Sequence, residues 1–328
     1  LEPHPTEPNS YIFHVDNSSR ERICECSLKG KYYLIDSRTV PGSPALRYGG
    51  ILHKALDYRY RHAGSASVGR FITETQIEIL VDEFKKITMP FNEWRTQEQA
   101  IETVKQYNER YLHETFGVLE VERAFSIPLC ELTIGKCFPY ARSQLVIDEN
   151  LQLPSTSWSL NEFYVEKLYV YWTGRIDLII STSNDLWVMD HKTASRLGPS
   201  FWKAFELSGQ MMGYTWAASQ GLDKPINGVL INCIAARKPT KTGRAIDFER
   251  QFVGYTKQQL EEWKEDTILH ISDFVADILR GKFPRNYLSC VGKYGTCEYH
   301  DVCTSECSIR ESVLQSNQYE NVTWSPLQ

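Results

Sequence analysis

Apolar positions recur along this chain with two different periods. Ile51, Leu52, Ala55 and Leu56 fall on one side of a 3.6-residue repeat, which predicts a helix over 50–61. Ile77, Leu80, Val81 and Phe84 predict a second helix over 74–87. Ile101, Val104, Tyr107, Tyr111 and Leu112 predict a third over 97–113. A long amphipathic helix is expected over 257–280, with Leu260, Trp263, Ile268, Ile271, Phe274, Val275 and Ile278 on its apolar side. Another is expected over 201–219, behind the start signal Gly198-Pro199-Ser200. Runs rich in β-branched and aromatic residues predict strands over 118–129, 168–180, 185–192 and 228–234. The polar tetrapeptide at 181–184 is turn chemistry and makes the middle two strands a hairpin. Residues 145–153 show no decisive period.

Helix, strand, hairpin, helix and strand in that order predict an α/β domain with a mixed sheet. Residues 71–116 read as a helical insertion into a domain over 21–280. The polar residues 1–20 read as a flexible arm, and 281–328 as a cysteine-rich C-terminal segment.

With 328 residues, 42% hydrophobic and 23% charged, the chain is expected to be globular, with one large α/β domain or two domains. No apolar run reaches the roughly 18 residues of a membrane span, and residues 1–30 hold no apolar segment of a secretory signal. The chain opens on Leu1, as expected of a trimmed or processed start. A net charge of −5 argues mildly against a protein that coats nucleic acid. The charge is segregated, however. Residues 21–70 hold nine Lys/Arg against four Asp/Glu, and residues 71–122 hold five against eleven. The nine cysteines are odd in number, and nothing points to secretion, so a disulfide framework is not expected.

The hairpin carries the chemistry. With the turn centred between Ser183 and Asn184, residues whose numbers sum to 367 face each other, which pairs Asp177 with Asp190. Facing Cβ atoms lie about 5 Å apart, and Lys192 shares the face of Asp190. Carboxylates so close need a cation or a proton between them. The alternatives are a Mg²⁺ or Mn²⁺ site for water activation and a cross-strand Asp–Lys salt bridge. His53, with Asp57 one helical turn later, and Gln210 with Tyr214, four residues apart, are further candidates.

Together these residues resemble the RecB-like branch of the PD-(D/E)XK nuclease superfamily. The motifs come in the family's order: Gly49-Gly50-Ile51-Leu52-His53, Gly174-Arg175-Ile176-Asp177, Asp190-His191-Lys192-Thr193, and Gln210-Met211-Met212-Gly213-Tyr214. The resemblance implies a restriction-endonuclease-like core, a mixed central sheet flanked by helices. It implies that His53, Asp177, Asp190 and the backbone carbonyl of His191 ligate Mg²⁺ or Mn²⁺, and that Lys192 positions or activates the attacking water. Gln210 and Tyr214 would contact DNA or support the lysine. Glu122 is the best match for a glutamate on the preceding strand, with Glu120 competing. The side chain of His191 has no assigned task.

Some RecB-like nucleases, among them AddB-type subunits and CRISPR-associated adaptation nucleases, hold a [4Fe–4S] cluster between one N-terminal and three C-terminal cysteines. Cys26, Cys290, Cys297 and Cys303 match that layout, with Cys24 competing for the first place. The spacing of six residues between Cys290 and Cys297 departs from the usual two. A zinc site from Cys290, Cys297, Cys303 and Cys307 and four unligated thiols are the alternatives. Cys130, Cys137 and Cys233 read as core residues.

Lys29, Lys31, Arg47, Lys54, Arg59 and Arg61 surround the His53 helix in sequence, and Arg237, Lys238, Lys241 and Arg244 follow the 228–234 strand. These are candidate phosphate contacts; Tyr32, Tyr33 and Tyr48 are candidate base-stacking residues. The expected function is a metal-dependent DNA exonuclease, since no separate recognition module is evident. Its expected partners are DNA ends or single strands and recombination or replication proteins, in the cytoplasm of a prokaryotic or phage-infected cell. A DNA-end-binding or complex-forming subunit with weak or regulated cleavage is the alternative.

Overall fold

The computed structural model describes residues 1–62, 69–90, 93–138, 163–183, 185–222, 224–240, 245–292 and 295–322. The N-terminal elements are β1 (Glu2–Pro3), β2 (Ser10–Val15), α1 (Asn17–Glu25), α2 (Ser27–Leu34) and β3 (Arg38–Thr39). Three helices follow, α3 (Pro44–Arg61), α4 (Gly69–Lys85) and α5 (Gln97–Arg110). The long strands are β4 (Gly117–Phe138), β5 (Phe163–Thr182) and β6 (Asp185–Ala194). Next come α6 (Pro199–Glu206), α7 (Gly209–Leu222), β7 (Gly228–Ala236), β8 (Ile246–Gly254) and α8 (Lys257–Arg280). Short elements close the chain: β9 (Val291–Gly292), β10 (Gly295–Thr296), α9 (His300–Thr304), α10 (Arg310–Leu314) and β11 (Glu320–Asn321). The expected but undecided segment 145–153 lies outside the described residues.

The chain folds as two compact units. One contains residues 42–123 and 175–260, the other residues 1–41, 124–174 and 261–328.

The first of these holds the mixed sheet that was expected. The end of β5 runs antiparallel to β6, with Leu178 facing Met189 and Ile179 facing Val188. Both pairs sum to 367, the register set by the turn. β6 runs parallel to β7, with Asp190 beside Ile231 and Lys192 beside Cys233. β7 runs antiparallel to β8. All nine residues of β7 are buried, which is why GVLINCIAA reads as an unbroken apolar run and not as an alternation. Ser43 starts α3 by accepting the Leu46 N–H at 3.2 Å, with Pro44 in the first turn, where its missing N–H costs nothing. The apolar stripe Ile51, Leu52, Ala55 and Leu56 then packs in one core with Leu80 of α4, Val104 and Tyr107 of α5, and Leu178, Met189, Leu230 and Ile234 of the sheet. Burial of each such Leu or Ile side chain stabilises by about 1.5–3 kcal/mol. Hence α4 and α5, expected as an insertion, are part of this unit's core.

The other unit corrects the expected N-terminal arm. Residues 10–15 are a strand: β2 lies parallel to the start of β5, from Ser10 beside Lys167 to Val15 beside Trp172, and β1 pairs with β2. Ser10, Phe13 and Val15 are buried, so a stretch that looked polar on average carries enough strand pattern to be captured. Trp172 meets Trp263 of α8 edge to face at 5.2 Å. The C-terminal segment closes on the N-terminal stretch. β11 pairs with β3, Asn286 Nδ2 donates to the Glu25 carbonyl at 2.8 Å, and Tyr32, Tyr299, Val302, Leu314 and Tyr319 share a small core.

Candidate active site

The expected site residues of α3, β4, β5, β6 and α7 all belong to the unit built on the mixed sheet. Asp177 stands one residue before the paired stretch of β5, and Asp190 one residue after its counterpart on β6. Asp190 is 2% exposed. Burial, and then the neighbouring Asp190, push the Asp177 carboxyl up to about 7, against the pull of a hydrogen bond from the His191 N–H. That bond reaches Asp177 Oδ2 at 2.7 Å, and His53 Nδ1 lies 3.7 Å from the same oxygen. Burial lowers the His53 pKa, because it disfavours the charged imidazolium.

Lys192 Nζ lies 2.8 Å from Asp190 Oδ2. The contact is an ion pair without hydrogen-bond alignment, since that buried oxygen has no hydrogen-bond partner. The ammonium instead donates to Gln210 Oε1 at 3.0 Å, and Gln210 Nε2 donates to Tyr214 Oη at 3.1 Å. The four-residue spacing puts Gln210 and Tyr214 on one side of α7, so both form a chain that ends on the lysine. Gly49 lets α3 come close to β6, because a Cβ there would stand 2.8 Å from Thr193 Oγ1.

Glu122 has left-handed backbone, φ 51°, a conformation that costs a non-glycine residue about 1 kcal/mol or more. Burial, then Asp177 and Asp57, raise its carboxyl, while Arg175 opposes them from 3.6 Å. Glu120 is instead paired with Arg123. Of the two glutamates, Glu122 is the one beside Asp177 and His53.

The donor set is chemically suited to a hard divalent cation: carboxylate oxygens and an imidazole, with one buried carboxylate oxygen lacking a hydrogen-bond donor. It is not closed around a point. Among the described residues, no three His, Cys, Asp or Glu side chains stand close enough to hold a metal ion. The same holds for the cysteines, so neither the cluster nor the zinc alternative is present as a formed site. Cys26, Cys290, Cys297 and Cys303 are nonetheless neighbours. Burial raises the Cys303 thiol, Arg285 lowers it, and Cys297, Cys26 and Cys290 each raise it further. Arg20, Glu21, Glu25 and Asp266 act on the Cys24 thiol, which burial raises, and Cys307 is exposed. Cys233 is fully buried and Cys130 half-buried; the side chain of Cys137 lies outside the described residues.

The candidate DNA contacts are mostly engaged within the protein. Lys29 pairs with Glu25 at 2.6 Å, Lys31 with Asp36 at 2.5 Å, Lys54 with Glu83 at 2.6 Å and Arg61 with Asp57 at 2.6 Å. Arg59 pairs with Glu114 at 3.3 Å. Arg47 donates to the Thr88 carbonyl and Arg237 to the Ser195 carbonyl. Lys238 is exposed, and Lys241 and Arg244 lie outside the described residues. Tyr32 and Tyr48 are buried and cannot stack on bases. Tyr33 lies under the Arg22 guanidinium, 4.0 Å from it. Lys29, Lys31 and Arg61 find their partners within five residues, whereas Lys54, Arg59, Arg47 and Arg237 meet groups far along the chain.

Sequence reading missed a buried polar group beside the hairpin. Arg250 of β8 donates to Glu114 Oε1 at 2.6 Å, to Tyr60 and Tyr107 Oη at 2.9 and 2.8 Å, and to Asn232 Oδ1 at 2.8 Å. Its members are scattered over α3, α5, β7 and β8, and none belongs to a local motif.

Among solved structures, the chain is similar to that of a protein from Eubacterium rectale named for a suspected exonuclease activity, at 11% identity and a TM-score of 0.46, covering 92% of this chain and 94% of that one. It also matches the crystal structure of SSO0001, at 13% identity and a TM-score of 0.23, covering 74% and 84%. No curated protein matches the chain. The sequence model of the PD-(D/E)XK nuclease superfamily matches residues 17–304. With the hairpin, its two carboxylates and its lysine in place, the chain belongs to the PD-(D/E)XK nuclease superfamily.

Proposed function

We propose that the chain is a Mg²⁺- or Mn²⁺-dependent deoxyribonuclease of the RecB-like branch that degrades DNA from its ends. The observation that carries this reading is the buried pair Asp177 and Asp190 with Lys192 held between Asp190 and Gln210. His53, Asp177, Asp190 and the His191 carbonyl would hold the cation, with Glu122 close enough in charge to add to them. Such a cation polarises phosphoryl oxygens and lowers the pKa of bound water.

The chain's own residues do the rest. Lys192, fixed by Gln210 and through it by Tyr214, presents an ammonium to the water or to the charge that develops on phosphorus oxygens. The water oxygen bonds to phosphorus and gives up a proton to solvent, the bridging P–O bond breaks, and the departing alkoxide takes up a proton from solvent. The partners on this reading are DNA ends or single-stranded regions, with recombination or replication proteins, in a prokaryotic or phage-infected cytoplasm. Among the described residues no helix is long and apolar enough to cross a membrane.

The test is digestion of end-labelled DNA, with either end blocked, in Mg²⁺ or Mn²⁺. Asp190→Ala and Lys192→Ala are expected to abolish degradation while circular dichroism and Tm stay native. Unchanged activity in both would sink the reading. A wild-type chain that binds DNA ends without cutting them would favour the DNA-end-binding alternative.

For the thiols we infer a [4Fe–4S] cluster on Cys26, Cys290, Cys297 and Cys303. Support comes from the nearness of Cys297, Cys26 and Cys290 to Cys303 and of Cys26 to Cys297. Iron analysis and visible absorbance after anaerobic purification test it; a colourless protein containing zinc would refute it.

A further inference from the structure

His191 sits inside the Asp190-His191-Lys192 motif, and its side chain is 3% exposed. Its ring stacks on Tyr60 of α3, with centroids 5.5 Å apart and planes at 21°. It meets the His53 ring at 5.7 Å and 88°. Its Nδ1 lies 2.7 Å from Asn232 Nδ2.

The chemistry of the neighbours decides the state of that ring. Arginine can only donate, so the group facing Arg250 Nε at 2.8 Å must be the amide oxygen of Asn232. The amide nitrogen then faces the other way, with one hydrogen on Tyr107 Oη at 2.9 Å and the other on His191 Nδ1. Nδ1 must accept, so the ring proton of His191 sits on Nε2. Arg250 is itself locked by Glu114, Tyr60 and Tyr107. A run of groups with only one consistent hydrogen-bond pattern therefore leads from β8 through β7 to the ring that backs His53.

We propose that Asn232 and Arg250 are positioning residues: they fix His191 as its Nε2–H tautomer and so hold the His53 ring in its orientation toward Asp177. The metal-binding half of this rests on the function proposed above; the tautomer half does not. Partners one shell out from metal ligands typically change metal affinity 10–100-fold when altered.

Asn232→Asp separates positioning from packing. The carboxylate still accepts from Arg250 and keeps the shape, but it has no N–H to give His191. In nitrogen-15 imidazole spectra of the metal-free full chain, wild-type His191 is expected to show an unprotonated Nδ1 and a protonated Nε2. In the variant the proton is expected on Nδ1, the His53 ring resonances shift, and the calorimetric Kd for Mn²⁺ alone rises about tenfold, with Tm within a few degrees of wild type. His191→Phe keeps a ring against Tyr60 and is expected to weaken Mn²⁺ binding similarly, which serves if Asn232→Asp does not fold.

A wild-type ring protonated on Nδ1 would overturn the proposal. So would a flipped tautomer with His53 and Mn²⁺ affinity unchanged, which would leave only a packing role. If the wild type binds no Mn²⁺, the nuclease reading and the metal half fall together, while the imidazole spectra still decide the tautomer half.

Discussion

Two sets of candidate ligands in this molecule are built in opposite ways. The carboxylates and lysine of the mixed-sheet unit stand on neighbouring strands, next to ladder-paired residues. Asp177 is tied to the backbone of residue 191 and Lys192 to Gln210. The cysteines of the other unit come from opposite ends of the chain and sit at helix ends and in short turns. The bonds that join those ends include the Asn286 N–H on Cys26 Sγ at 3.4 Å, Asn286 Nδ2 on the Glu25 carbonyl, and the Leu28 N–H on the Pro284 carbonyl at 3.3 Å. A strand-borne site is preorganised by the fold whether or not it is filled. A site made of chain ends draws part of its order from whatever it binds.

The largest effect is expected at the thiols. Closing a loop of this length by a cross-link is worth about 5 kcal/mol in the chain-entropy picture. Cys297→Ala should therefore strip iron, lower Tm and open the C-terminal segment to protease, whereas Cys24→Ala should do none of these. Equal iron content in the two variants would refute the assignment of the quartet.

At the carboxylates the contrast predicts the reverse. Asp190→Asn should reduce cleavage about 10³-fold with little change in Tm, because the carboxylate it removes is strained by Asp177. A collapse of Tm would mean that the pair serves the fold.

Glu114→Gln is expected to cost about 3 kcal/mol in urea unfolding, since it leaves the buried Arg250 guanidinium without its carboxylate. Gly49→Ala is expected to cost about 1–3 kcal/mol by overpacking against Thr193 Oγ1. Most of that should return in the double variant with Thr193→Ala, and an additive double variant would argue against the contact. Smallest of all, Lys54→Ala should change stability by about 0–1 kcal/mol, because its pair with Glu83 is at the surface.

Most of the mixed-sheet unit was legible in the sequence, because the information there is local. A 3.6-residue stripe predicts α3, an unbroken apolar run predicts β7, and a four-residue turn sets the hairpin register within a residue. What failed did so where averages hid a pattern or where distant partners decided. Residues 1–20 look polar as a block, yet Phe13 and Val15, two residues apart on one face, are buried where β2 joins β5 as a strand. Lys54 and Arg59 look like free cations until folding brings Glu83 and Glu114 to them. Tyr32 and Tyr48 look like stacking platforms until they are buried.

Spacing along a few residues was enough to give the elements of the hairpin, its register and the superfamily. It took the packed chain to show that Glu122 and not Glu120 stands by the carboxylates, and that the His191 ring meets Asn232, which in turn meets Arg250. Each of those choices is made by groups that lie far apart in the chain and meet only when the sheet and helices pack. Spacing along the chain therefore carries no trace of them.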